Sequence, residues 1–152
     1  MLNAGLIDRF TKETGHDYLS NFYRSTVSFE GSLYPTVEHA YQAAKSLDPK
    51  VRDLIRRSPT PADTKKLGQG VAVRPDWVDV RVDIMRGLIR EKFENPFLRP
   101  KLLATGEAEL ILNNRWNDKF WGICRGVGEN WLGRILMDER KRIKEEEERS
   151  GP

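Results

Sequence analysis

Tyr34-Pro35-Thr36-Val37-Glu38-His39-Ala40-Tyr41-Gln42-Ala43-Ala44-Lys45 is the stretch whose reading decides the fold. Thr36 is placed to cap a helix running to about Lys45, because its hydroxyl can take an amide N–H of the first turn. At about 100° per residue, Val37, Ala40, Tyr41 and Ala44 form an apolar stripe. Glu38, Tyr41, Gln42 and Lys45 form a second stripe beside it, with the carboxylate and the amine two turns apart. Two readings of that second stripe stand. It is a solvated face with Gln42 as spacer, since direct helical ion pairs favour i+3 or i+4. Or it is the edge of a cleft, where partial burial lowers a lysine pKa and makes the amine a nucleophile. His39 lies beside both stripes and by itself reads as a structural histidine more readily than as a catalyst.

Other helices follow this one. Asp48-Pro49 and Thr60-Pro61 each set a capping side chain before a proline at the first helical position, and the second helix should stop near Gly68-Gln69-Gly70. A longer helix is expected from Asp76 to about Phe93, one from Pro96 to Thr105-Gly106, and a last one from near Asn130 into the tail. Glu109 to Leu112 reads as a short strand or a helical turn. Upstream, Val27 to Tyr34 alternates around Gly31-Ser32 as a hairpin does. Residues 1–20 read as a loop-rich entry. The fold class expected is mainly helical α+β in a single domain with a short N-terminal hairpin.

The whole chain has 152 residues, a length suited to one domain. Its 26 basic and 23 acidic residues leave a net charge of +3. The run from Glu139 to Arg149 holds five of each sign, so the excess belongs to residues 1–138. The tail is a solvated helix end on this count. The excess permits a polyanionic ligand without requiring one. Arg56-Arg57 with Lys65-Lys66 makes only a modest basic stripe for general nucleic-acid binding. A single cysteine, Cys124, excludes an internal disulfide, and with His16 and His39 widely separated a structural zinc site is not expected. No apolar run is long enough to span a bilayer, and the N-terminus has no secretory pattern. A cytoplasmic protein is expected.

Two further segments are dense in functional side chains. Asn113-Asn114-Arg115-Trp116-Asn117-Asp118-Lys119-Phe120-Trp121-Gly122 either stacks a planar base and holds sugar hydroxyls, or is a tryptophan-anchored turn braced by Asn117-Asp118. Gly126-Val127-Gly128 precedes a helix start and resembles a phosphate-binding turn weakly, lacking a third spaced glycine.

Taken together, these segments resemble the NADAR domain family, also described as riboflavin-biosynthesis-intermediate N-glycosidases. The resemblance rests on Asn21-Phe22-Tyr23, the Tyr34 to Lys45 stretch, Lys66-Leu67-Gly68 and Arg74-Pro75-Asp76-Trp77. It continues through Met85-Arg86, Lys92-Phe93, Leu102 to Gly106, Asn117 to Gly122, Asn130-Trp131-Leu132-Gly133 and Leu136-Met137. It covers residues 18–142, leaving 1–17 as an N-terminal segment and 143–152 as a charged tail.

The resemblance implies hydrolysis of N-glycosidic bonds without a cofactor or metal. The substrate implied is ADP-ribosylated guanine, as nucleotide or in nucleic acid, or a phosphorylated riboflavin precursor. An associated ADP-ribosyltransferase toxin is an implied partner. By the same resemblance Lys45 is the catalytic amine, Lys92 its reserve, Glu38 the acid/base or electrostatic partner, and Asp118 the residue holding the ribose. Trp77 and Trp121 would wall the base or sugar. Asn21, Phe22, Tyr34, His39, Gln42, Gly122 and Asn130 would line the pocket, and Gly133 and Arg134 would approach phosphate. A non-catalytic module binding NAD, ADP-ribose or modified nucleic acid is the competing class.

Overall fold

The computed structural model describes residues 5–151. The first four residues of the N-terminal segment and Pro152 of the tail lie outside them. In chain order the elements are β1 (Leu6–Ile7), a 3-10 turn (Asp17–Leu19), β2 (Val27–Phe29), β3 (Ser32–Tyr34), α1 (Val37–Ala44), α2 (Pro49–Arg56), α3 (Pro61–Gln69) and α4 (Trp77–Lys92). Then come α5 (Arg99–Ala104), β4 (Glu109–Leu110), β5 (Asn113–Asn114), β6 (Ile123–Cys124) and α6 (Trp131–Arg149). The chain is thus a helix-dominated α+β fold with three two-stranded pairings among the described residues. No helix among the described residues is long and apolar enough to cross a membrane.

Contacts gather into two units: Asn21–Lys92, and the residues up to Ser20 joined with those from Phe93 onward. In the first unit β2 and β3 pair antiparallel with Val27 opposite Tyr34 and Phe29 opposite Ser32, as the alternation predicts. Glu30 and Gly31 turn with positive φ, 47° and 88°. Thr36 caps α1 by accepting from His39 N–H at 3.1 Å, and the preceding amide, Glu38 N–H, is taken by the Asn21 carbonyl at 3.1 Å. Asp48 caps α2 through Lys50 N–H, and Thr60 caps α3 through Asp63 N–H. These local devices stand where the sequence puts them.

Helix α1 packs against α2, α3 and α4 and against both strands of the hairpin. All eight of its residues are buried as a result. Ala40, Ala43 and Ala44 let three helices approach its backbone, while Val37 and Tyr41 fill the remaining space. The solvated-face reading of the second stripe is therefore corrected: Glu38 and Gln42 lie inside the unit. An amphipathic pattern assumes one wet side, and this helix has none.

The second unit is built on α6, which packs on β4 and α5. Leu132, Ile135, Leu136 and Ile143 are its buried apolar residues, and Leu102 of α5 and Leu110 of β4 are buried with them. Within the loop-rich entry, Leu6–Ile7 pairs in parallel with Glu109–Leu110. Pro96 does not open a helix: the Asn95 side chain takes Phe97 N–H at 2.9 Å, a separate turn follows, and α5 begins at Arg99. Within residues 113–124, Asn113–Asn114 pairs in parallel with Ile123–Cys124.

Candidate active site

The unit of residues 21–92 holds a carboxylate, an amine and an aromatic pair on α1 and its surroundings. Glu38 is 7% exposed. Its Oε1 accepts from the Gln42 side-chain amide one turn on, at 2.7 Å. Glu38 N–H is held by the Asn21 carbonyl, and the Asn21 side-chain amide donates to Met85 Sδ at 3.6 Å. Two buried amide oxygens, Asn21 Oδ1 and Gln42 Oε1, have no hydrogen-bond partner within the protein. Buried acceptors of this kind are seldom left unmatched, and ligand or water donors are the groups able to match them. Gln42 Oε1 has space only because residue 68 is glycine. A β-carbon there would lie 1.9 Å from it.

Lys45 closes α1, half-buried, with Nζ 5.8 Å from the centroid of Tyr41. The Tyr41 and Trp77 rings lie 5.1 Å apart and tilted by 51°. The segment bearing Trp77 is pinned to the end of α1 by Arg74 N–H, which donates to the Lys45 carbonyl at 2.7 Å. Burial lowers the Lys45 pKa from the ordinary lysine value. Glu38 opposes that shift by stabilising the ammonium form, and Lys65 adds to it by repulsion. An amine that is neutral more often, next to an apolar aromatic wall and within the field of a carboxylate, is equipped for nucleophilic attack.

His39 does not join that group. It is fully buried, with Nδ1 2.8 Å from the Thr36 hydroxyl and Nε2 3.0 Å from the Ser58 carbonyl. A carbonyl only accepts, so Nε2 carries the proton and Nδ1 accepts from Thr36. Both nitrogens are spent on joining the start of α1 to the end of α2, and the pocket-lining role expected of His39 is corrected to a structural one. Tyr34 is also buried, and burial raises its pKa. It borders a cavity of about 530 Å³ lined in addition by Glu30, Leu47, Arg52 and Arg56, none of which belongs to the Glu38–Lys45 face. Phe22 is exposed. Lys92, the reserve amine, is 1% exposed with Nζ 5.7 Å from the Tyr23 ring.

The remaining sequence-predicted residues stand in the other unit. Asp118 Oδ1 accepts from Phe120 N–H at 3.1 Å and Trp121 N–H at 2.9 Å. Its backbone exchanges two hydrogen bonds with the Asn114 side chain, at 2.8 and 3.0 Å. The braced-turn reading of this loop describes these bonds. Trp121 packs edge-on against Phe120, centroids 4.9 Å apart. Gly122 is closely approached by the Leu112 carbonyl, which a β-carbon would meet at 2.2 Å.

The family model of the NADAR domain matches residues 9–144. The chain belongs to the NADAR domain family. It is 38% identical over 136 residues to N-glycosidase YbiA of Escherichia coli (strain K12), covering 86% of this chain and 84% of that protein. It is 38% identical over 140 residues to "Riboflavin biosynthesis protein VVA0006" of Vibrio vulnificus, covering 90% of this chain. It spans only 38% of that longer relative. The NMR structure of E. coli YbiA superposes with a TM-score of 0.85 at 34% identity, covering 97% of this chain and 89% of that one.

In this NADAR domain Asn130 and Gly133 make packing contacts within their own unit. Asn130 sits in the left-handed region at φ 54° and does not cap α6 with its side chain. It donates instead to the Leu110 carbonyl at 2.9 Å and accepts from Leu112 N–H at 3.0 Å, joining the helix start to the segment after β4. That corrects its expected place as a pocket liner. Gly133 is packed backbone against backbone, since a β-carbon would lie 2.0 Å from the Leu110 carbonyl. Arg134 is exposed, its guanidinium 3.8 Å above the Trp131 ring. Among the described residues no group of three His, Cys, Asp or Glu side chains is placed to hold a metal ion. Sequence reasoning missed Lys65, whose charge acts on Lys45, and the bracing role of Asn114. The Asn113-Asn114 pair was visible as a possible sugar holder, but its bonds to Asp118 depend on a turn that closes only in three dimensions.

Proposed function

We propose that this N-glycosidase hydrolyses the C1–N bond joining ADP-ribose to a modified guanine. The observation that carries the reading is the half-buried Lys45 amine, with its lowered pKa, beside the Tyr41–Trp77 pair and in the field of Glu38. The neutral amine attacks the anomeric carbon, and the bond to the base nitrogen breaks with its electron pair leaving on the base. Glu38 takes the proton that the Lys45 ammonium gives up on becoming the nucleophile and passes it to the leaving nitrogen. Opening of the sugar ring converts the adduct to a Schiff base, and water then releases the sugar and restores the amine. Asp118 serves by shaping its loop. A guanine-targeting ADP-ribosyltransferase is the class of enzyme that would make such a substrate, and a reducing, cytoplasmic setting suits the free, buried Cys124.

A second reading, hydrolysis of a phosphorylated riboflavin precursor, is favoured by the name of the Vibrio relative. Both substrates present a planar base, a C1–N bond and a phosphate. One experiment separates the readings: incubation with ADP-ribosylated guanosine and, separately, with phosphorylated riboflavin precursors, following release of free base. Release from the first supports the proposal and release from the second alone replaces it. No release from either at high enzyme concentration leaves a binding module. Glu38→Gln should slow the productive reaction by roughly 10²–10⁴ if Glu38 is the general acid.

A further inference from the structure

Part of the positive charge has a place in the structure. Most arginines with a described partner are neutralised: Arg56 and Arg57 on Asp53, Arg74 on Asp76, Arg99 on Glu146 and Glu147, and Arg142 on Glu139. The stripe at Arg56-Arg57 is thereby cancelled in part. The loop of residues 113–129 differs, because Arg115, Lys119 and Arg125 there are set against two carboxylates, Asp118 and Glu129. One oxygen of Asp118 is taken by two backbone N–H groups. The three cations are exposed, and none is held by a carboxylate among the described residues.

Local geometry gathers these cations. Parallel pairing sets Asn114 beside Cys124, so Arg115 and Arg125 leave the two strands at the same end. Paired strands lie about 5 Å apart. Cys124 and Val127 exchange both backbone hydrogen bonds, at 2.9 and 3.0 Å, around Arg125 and Gly126. Their φ values are 52° and 77°, as in a type I′ turn. Asn, Asp or Gly occupies the first of these positions with less strain than arginine does. Here arginine occupies the exposed tip. Next to Arg115, Trp116 keeps 58% of its surface exposed, although a tryptophan is usually well covered. Lys119 is anchored at its carbonyl by Glu129 N–H at 2.8 Å, so the loop carries its cations on a braced backbone.

We propose that this loop is a docking surface for single-stranded nucleic acid, with Trp116 stacking on a base and Arg115, Lys119 and Arg125 meeting phosphates. Exposed aromatic surface interleaved with positive charge is the composition that tracks an unpaired strand. The proposal rests on the nucleotide-type substrate proposed above and deepens it: the modified guanine would arrive on a strand rather than as a free nucleotide.

The test measures binding of a labelled, unmodified oligonucleotide of about 12 nucleotides by fluorescence anisotropy, with hydrolysis of the free nucleotide substrate assayed in parallel. Wild-type binding should weaken about 20-fold between roughly 50 and 200 mM salt, as three phosphate contacts imply. Trp116→Ala should weaken it by roughly 5- to 100-fold. Arg115→Ala with Arg125→Ala should lower the salt slope by about 1.4. Hydrolysis of the free nucleotide and the urea midpoint should be unchanged in these variants. Undetectable wild-type binding at low salt, variants binding like wild type, or equal binding of duplex would overturn the proposal. So would parallel loss of free-nucleotide hydrolysis, which would place these side chains in the nucleotide pocket itself. Failure of the glycosidase reading shows separately, as absent hydrolysis by the wild type, because the binding arm uses unmodified strand.

Discussion

Replacing His39 by leucine removes the imidazole bridge while keeping an apolar side chain of similar reach. The Ser58 carbonyl loses the donor 3.0 Å away, and the Thr36 hydroxyl loses the acceptor 2.8 Å away. Leaving a buried polar group unmatched costs about 1–3 kcal/mol. Thr36 Oγ1 still accepts from the residue 39 amide, so its loss belongs at the low end. The expected destabilisation is about 2–4 kcal/mol. His39→Gln, whose amide can still donate to Ser58, should lose about 1 kcal/mol.

The same site has a pH signature. Burial is the largest cause lowering the His39 pKa below its ordinary 6.5, Arg24 adds to it by repulsion, and the Ser58 hydrogen bond opposes it. The native ring is neutral where the unfolded ring takes a proton. Stability contributed by the neutral ring is therefore complete above pH 6.5 and is lost as pH falls through the lowered native value. One proton sets a ceiling of about 1.4 kcal/mol per pH unit on that loss. Urea unfolding at pH 7.5 and 5.5 checks both claims, with His39→Gln as the variant lacking the titrating group. The reasoning is refuted if His39→Leu unfolds at the wild-type urea concentration. It is equally refuted if the stability difference between wild type and His39→Gln is the same at both pH values.

Lys45 should be the site of borohydride trapping with substrate, and because the neutral amine reacts, trapping should rise with pH about a midpoint below the ordinary lysine 10.5; a midpoint at or above that value, or undiminished trapping in Lys45→Ala, counts against it. Gly133→Ala should cost about 3 kcal/mol or more, because the new methyl meets the Leu110 carbonyl at 2.0 Å. Gly87→Ala, in open space within α4, should instead stabilise by about 0.5–1 kcal/mol, and thermal melts of the two variants compare them directly. Arg142→Ala strips Glu139, whose side chain is 8% exposed, of its guanidinium and should cost about 1–3 kcal/mol in urea unfolding, with Arg142→Lys recovering part of it; an unchanged midpoint in Arg142→Ala would show that Glu139 is matched without it.

Much of the fold is legible because its signals are local. Thr36, Asp48 and Thr60 each reach an amide two or three residues away, so a capping residue followed by a helical pattern carries its own geometry. The hairpin at residues 27–34 is local in the same sense. The parallel pairs are not: Leu6 meets Glu109 across the length of the chain, and two-residue strands leave no alternation to read. The departure of Asn130 from helix capping has the same origin, since its partners Leu110 and Leu112 lie about 20 residues upstream.

The sequence by itself determined the helix-rich architecture, the family, and the spacing that aligns Glu38, Tyr41, Gln42 and Lys45 on one side of α1. Burial belonged to the tertiary structure alone. Periodicity tells which side chains share a face, but how many neighbours cover that face depends on elements distant in sequence. Three helices and a hairpin enclose α1, and that enclosure draws Glu38 out of water, commits both nitrogens of His39 and lowers the pKa of Lys45. The location of the unpaired positive charge was likewise a tertiary outcome, because it depends on which arginines meet carboxylates once the chain has folded.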